Sequence, residues 1–139
     1  MDDLDHRLVA ALRANARLPI ADLAAALKVS RGTISNRLAR LERDGVIVGY
    51  TLRLRPESVP DEIRAWTSIA VEGNQQGVVR ALLGEPGIAG LHDTNGRWDL
   101  LAELRVGNLG ELSAVLERIR KIKGISATET SIHLQSYRA

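Results

Sequence analysis

Between Lys28 and Arg43 the chain carries five basic residues and a single acid, Glu42. Short polar side chains are set among them. Ser30, Arg31, Thr33, Ser35, Asn36, Arg37, Arg40 and Arg43 are the side-chain types that bond base edges in a DNA groove or hold phosphates. Arg31, Thr33, Ser35 and Asn36, near the start of a helical pattern, are expected to contact bases. Arg37, Arg40 and Arg43 are expected to hold phosphates. The plainer reading is a solvated helix face with arginine for solubility. A second group is Thr94, Asn95, Gly96, Arg97 and Asp99. Asn95-Gly96 between two strand patterns reads by itself as a type I′ hairpin turn. Asp99 follows directly, on the face opposite an apolar stripe. Its carboxylate can accept an ammonium while backbone N–H groups of the turn hold a carboxylate, matching both poles of an α-amino acid. His6, His92 and His133 lie far apart and show no metal spacing. No Gly-rich phosphate loop and no Ser/His/Asp arrangement is evident. No metal, cofactor or catalytic residue is expected.

The basic segment needs a helix placed for a groove. Leu4, Leu8, Ala11 and Leu12 form one helical stripe. Ile20, Leu23, Ala24 and Leu27 form a second, and Ile34, Leu38 and Leu41 a third. Asp2 and Asp5 suit the start of the first helix by capping and by the dipole. Pro19 suits the first turn of the second. Ser30 is a strong cap for the third, and Gly45 stands where a left-handed residue would end it. The turn at Lys28-Val29 is very short, and Ala24 is small where two helices must cross. That is helix-turn-helix spacing. Glycine is common at such a turn for its positive φ, so Lys28 implies mild strain.

After residue 64 the pattern changes. Residues 65–71, 88–94, 98–106 and 125–134 read as strands. In the third, Trp98, Leu100, Ala102, Leu104 and Val106 make one apolar face. Val78, Val79, Leu82 and Leu83 mark a helix ended by Gly84 and Pro86. Leu109, Leu112, Leu116 and Ile119 mark another, capped by Asn108 and ended by Gly124. The order strand, helix, strand, strand, helix, strand is the ferredoxin-like split βαβ arrangement. Two helices cover one sheet face. The other must meet water or a partner subunit, with Leu101 and Ile132 as candidates for contact.

Composition agrees with this division. The chain has 139 residues and a formal charge of only +2. Residues 1–55 carry +4 and residues 56–139 carry −2. Pro56 and Pro60 mark a connector between them. The expected organisation is a DNA-binding domain at 1–50, a linker at 51–63 and a second domain at 64–139. Cysteine is absent, which excludes disulfides and thiolate zinc sites. Aromatics are 3%, too few for the stacking rows of single-strand binders, so the expected nucleic acid is double-stranded DNA. No apolar run approaches the ~20 residues of a membrane span, and the acidic start is unlike a secretory signal. A cytoplasmic location without membrane contact is expected.

Asp2-x-x-Asp5-x-x-Leu8, Arg17-Leu18-Pro19, Asp22-Leu23-Ala24, Val29-Ser30 and Arg37-Leu38-x-Arg40-Leu41-Glu42 together resemble the Lrp/AsnC, or feast/famine, family of regulators. Gly45-Val46-Ile47-Val48-Gly49-Tyr50 is the most specific match. The second half is similar to that family's βαββαβ effector domain, with its Gly-x-x-Asp signature at Gly96-Arg97-Trp98-Asp99. The resemblance spans essentially the whole chain. It implies an α+β protein, with a winged-helix-like helix-turn-helix domain joined by a strand-containing linker to a ferredoxin-like domain. It further implies homodimers joined through the connecting strand and sheet faces, assembly to octamers, and a small amino-acid effector bound between dimers near the Gly96–Asp99 turn. Asn95 departs from the usual Thr, and Lys28 from a common Gly. Two alternatives stand beside this reading. One is an enzyme similar to the siroheme decarboxylases, using His92 and His133; the basic helix argues against it. The other is an effector-independent architectural DNA-binding protein.

Overall fold

The computed structural model describes residues 1–55, 58 and 62–138. The chain divides into two compact units, Met1–Leu52 and Arg53–Ala139.

The first unit contains three helices: α1 (Asp3–Ala14), α2 (Ile20–Leu27) and α3 (Arg31–Arg43). A reciprocal capping box starts α1. The Asp2 side chain accepts from the Asp5 N–H at 2.9 Å, and the Asp5 side chain accepts from the Asp2 N–H at 3.1 Å. Pro19 is the residue before α2 rather than part of its first turn; its ψ of 152 is extended and its carbonyl accepts from Leu23 at 3.0 Å. Lys28 ends α2 at φ 58, the one non-glycine with positive φ among the described residues. Its N–H and that of Val29 turn back to the carbonyls of Ala25 and Ala24, closing the last turn. Ser30 caps α3 through a 3.1 Å bond from the Thr33 N–H, and Gly45 follows the helix at φ 71. The three stripes converge on a core of Leu8, Leu23, Ala24, Leu27, Ile34 and Leu41.

The second unit is β1 (Ile63–Val71), α4 (Gln75–Leu83), β2 (Ile88–Asp93), β3 (Leu100–Val106), α5 (Leu109–Arg120) and β4 (Ile125–Ile132). The sheet is antiparallel, in the order β2-β3-β1-β4. Alternate residues of β3, from Leu100 to Val106, are buried under both helices together with Ala65 and Ile69 of β1. The apolar stripes differ in detail from those read along the chain. Leu83 is 68% exposed, one position past Leu82, because the extra 100° turns it to water. Leu109 is also exposed, at the helix start, and Val115 takes its place in the stripe between Leu112 and Ile119. Ile132 aligns with Ala65 on the helix-covered side of β1, at the strand end, whereas Leu101 is on the open face.

The connector contains no strand among its described residues before β1. Its marker prolines, Pro56 and Pro60, lie outside the described residues.

Candidate nucleic-acid interface and effector loop

The accessible side of α3 is narrow and largely made of small residues. Arg31, Gly32, Ser35, Asn36, Ala39, Glu42 and Arg43 are exposed, while Ile34 and Leu41 are buried behind them. Recurrence at three and four residues keeps these positions on one face. Gly32 and Ala39 let a groove floor approach the backbone. Ser35 and Asn36 present hydrogen-bonding groups on this face, and Arg31 and Arg43 stand at its opposite ends. Thr33 is half-buried, and its hydroxyl pairs with the Ser30 hydroxyl at 2.8 Å. Ser30 and Thr33 therefore build the helix start.

Arg37 and Arg40 differ from the sequence expectation. Both turn towards α1. Arg37 Nη1 donates to Asp2 Oδ2 and, at 3.2 Å, to Asp5 Oδ1. Arg40 Nη2 donates to Asp5 Oδ2 at 2.7 Å. Asp5 is completely buried. Burial pushes its carboxyl up, but the Asp2 backbone N–H and the arginines outweigh this and hold it below the ordinary value. The Arg37 guanidinium, with the Asp5 N–H, holds Asp2 down to about 2. Each arginine is paired with a carboxylate and ties α3 to α1. The spacing of Asp2, Asp5, Arg37 and Arg40 held no sign of this, because the pairs span 32 to 35 residues. Glu42, exposed on the same side of α3 as Arg31 and Ser35, accepts from the Tyr50 hydroxyl at 3.0 Å, which pins the segment that follows the helix.

The second group lies in the six-residue connection from β2 to β3. It is not a two-residue type I′ turn. Neither Asn95 nor Gly96 has positive φ, which that turn requires at both central positions. Instead Thr94 Oγ1 donates to the Trp98 carbonyl and the Thr94 N–H to the Asp99 carbonyl at 3.2 Å. Asn95, Gly96 and Arg97 are exposed, with the Arg97 guanidinium 5.5 Å from the Trp98 ring centroid. Asp99 is half-buried and has structural duties. Its N–H donates to Ile69 at 3.0 Å, and its Oδ2 accepts from the Val71 N–H at 2.7 Å. It thereby completes β1 beyond the first residue of β3. Among the described residues Asp99 Oδ1 accepts no hydrogen bond. An open cleft of about 730 Å³ lies elsewhere in this unit, lined by Glu72, Asn74, Gly77, Lys123, Gly124 and Ser126 among others. None of the predicted effector residues lines it. His92 Nε2 is 3.7 Å from Glu103, and the His133 ring lies 5.9 Å from that of Trp66, so the two histidines serve separate contacts.

Residues 1–48 match the model of a winged helix-turn-helix DNA-binding domain, and residues 65–139 match the Lrp/AsnC ligand-binding domain. The chain is 28% identical to the HTH-type transcriptional regulator FL11 of Pyrococcus furiosus, over 99% of this chain and 92% of the relative. Its fold superposes on Escherichia coli AsnC with a TM-score of 0.83 at 25% identity, covering 100% of this chain and 95% of that one. A Neisseria meningitidis transcriptional regulator, solved as a complex with L-Met, has the same fold at a TM-score of 0.83 and 21% identity, covering 100% and 93%. The regulator names of the relatives and the DNA-binding domain are consistent with a non-enzyme and do not support the decarboxylase alternative. Both halves of the chain, in this order and over this length, make it a member of the Lrp/AsnC family of DNA-binding transcriptional regulators.

Proposed function

We propose that this chain is a sequence-specific regulator whose binding to double-stranded DNA is modulated by a small amino acid. Residues 1–50 read the DNA, 51–63 connect, and 64–139 bind effector and assemble subunits. The observation that carries the DNA reading is the exposed face of α3: small residues at Gly32 and Ala39, base-reading groups at Ser35 and Asn36, arginines at 31 and 43. Asn36 and Ser35 contact bases; Arg31 and Arg43 hold phosphates. Ser30 and Thr33 present the helix start, whose free N–H groups favour a phosphate.

The effector reading places the amino acid at Thr94, Asn95, Gly96, Arg97 and Asp99. Asp99 Oδ1 is free to accept an ammonium, and Arg97 can meet a carboxylate. The loop is open in one chain, which suits a site completed by another subunit. The L-Met complex of the Neisseria protein supports the ligand class.

A homodimer is supported by a second pattern. Val46, Val48, Tyr50, Leu52 and Leu54 alternate along the segment after α3, and all five are exposed. Period-two apolar residues without a strand partner fit pairing with the same segment of a second chain. The half-exposed Trp66, Ala70 and Leu101 on the uncovered sheet face supply further surface. Octamers or other higher assemblies follow if the effector sits between dimers. The regulator works in the cytoplasm, with the DNA it reads.

The test is a mobility shift on the DNA upstream of the protein's own gene, with each amino acid in turn, for wild type and Asp99→Asn. Asn keeps the acceptor for the Val71 N–H and removes the charge. One amino acid should alter the wild-type shift, and Asp99→Asn should bind DNA normally without responding. A retained response would move the effector elsewhere, and indifference of the wild type to all amino acids would favour an effector-independent architectural protein. Failure to bind any DNA at low salt would end the regulator reading.

A further inference from the structure

Of the five basic residues from Lys28 to Arg43, three have carboxylate partners: Arg43 makes an exposed 3.6 Å contact with its neighbour Asp44, whereas Arg37 and Arg40 are tied across to α1. Arg37 and Arg40 share Asp2 and Asp5, a closed set of two positive and two negative charges. The four groups are not equally placed. Asp5 is sealed, with its side chain 1% exposed, whereas Asp2 is 52% and Arg37 27% exposed. Phosphate reaching Arg37 must therefore displace or approach Asp2, and like charge opposes it.

We propose that Asp2 is a positioning residue for DNA binding: it holds Arg37 against α1 and lowers the sequence-independent phosphate attraction of α3, leaving base contacts a larger share of the binding energy. This rests on the reading of α3 as the recognition helix. Each phosphate neutralised by a free cation steepens the salt dependence of duplex binding by about 0.9 in log–log slope. A masked arginine contributes little of that. Asp5 holds Arg40 in the same way, but its burial and its part in the capping box make it also a structural residue.

Asp2→Asn separates the two roles. The Asn Oδ1 still accepts the Asp5 N–H, so the cap on α1 is kept. The oxygen that binds Arg37 becomes an amide N–H₂, which repels the guanidinium and leaves it only the 3.2 Å contact with Asp5. The experiment titrates the full-length protein against a labelled mixed-sequence duplex by fluorescence anisotropy at several salt concentrations, with helix content checked by circular dichroism. Asp2→Asn should steepen the slope by about one. Affinity should rise roughly five- to tenfold near 0.1 M salt, a gain that shrinks as salt rises. Adding Arg37→Gln to that variant should remove the gain, and Arg37→Gln alone should leave the wild-type slope unchanged. An unchanged slope in folded Asp2→Asn overturns the proposal. So does a slope lowered by about one in Arg37→Gln alone, which would put Arg37 on phosphate already. If Asp2→Asn lost its helical signal, the Arg37→Gln slope would decide alone. Wild type that binds no duplex at low salt would instead overturn the recognition-helix reading beneath it.

Discussion

Lys28 holds a left-handed backbone with no glycine to relieve it. The short turn between α2 and α3 imposes that conformation, which costs an L-residue about 1 kcal/mol or more. Lys28→Gly should therefore stabilise the first unit by about 0.5–1 kcal/mol, read as a higher urea midpoint with an unchanged slope. Ile34 sits on the opposite side of α3, completely buried. Ile34→Ala should cost ~2–5 kcal/mol through lost burial and the cavity left behind, and a change under 1 kcal/mol would show that the site collapses freely. Both residues were legible from the sequence, Lys28 as a turn residue lacking glycine and Ile34 as a helical-stripe position. Asp5 was legible only as a helix-start residue. Its burial beneath two arginines depends on which helix packs against α1.

At the scale of elements, α3 is held by its cap and by its tie to α1. Ser30→Ala removes the acceptor for the Thr33 N–H and should cost about 1 kcal/mol of stability. Thermal unfolding followed by circular dichroism at constant salt would show it. The tie to α1 gives an acid limb. Asp2 titrates at about 2 when folded against an ordinary 3.8, so its contribution is complete above about pH 4 and is lost as pH falls towards 2. Equilibrium unfolding between pH 5 and 2 should show a shallower decline in Asp2→Asn than in wild type. A parallel decline would mean other carboxylates carry the acid sensitivity. In the second unit, the strand and helix order was readable because apolar residues recur at two and at three to four. The loop from β2 to β3 was not. Asn95-Gly96 has the composition of a tight turn, but Asp99 must reach the Val71 N–H, and that long-range bond sets the loop's path.

For the whole molecule, the exposed alternation of Val48, Tyr50 and Leu52 makes assembly the property most open to test. Replacing Val48 and Leu52 together with Lys should shift the protein from dimer to monomer in sedimentation velocity. DNA affinity should fall with it, since one unit then reads one half-site. An unchanged oligomer would leave the sheet face as the sole candidate interface. The division into two units, the helix-turn-helix, the strand and helix order and the family resemblance can be read along the chain. All of these follow from local periodicity, caps and short motifs, which are written in neighbouring residues. The pairing of Arg37 and Arg40 with carboxylates of α1 cannot be read that way. Whether a guanidinium meets a phosphate or a carboxylate depends on partners more than thirty residues away, brought together when α1 and α3 share one core.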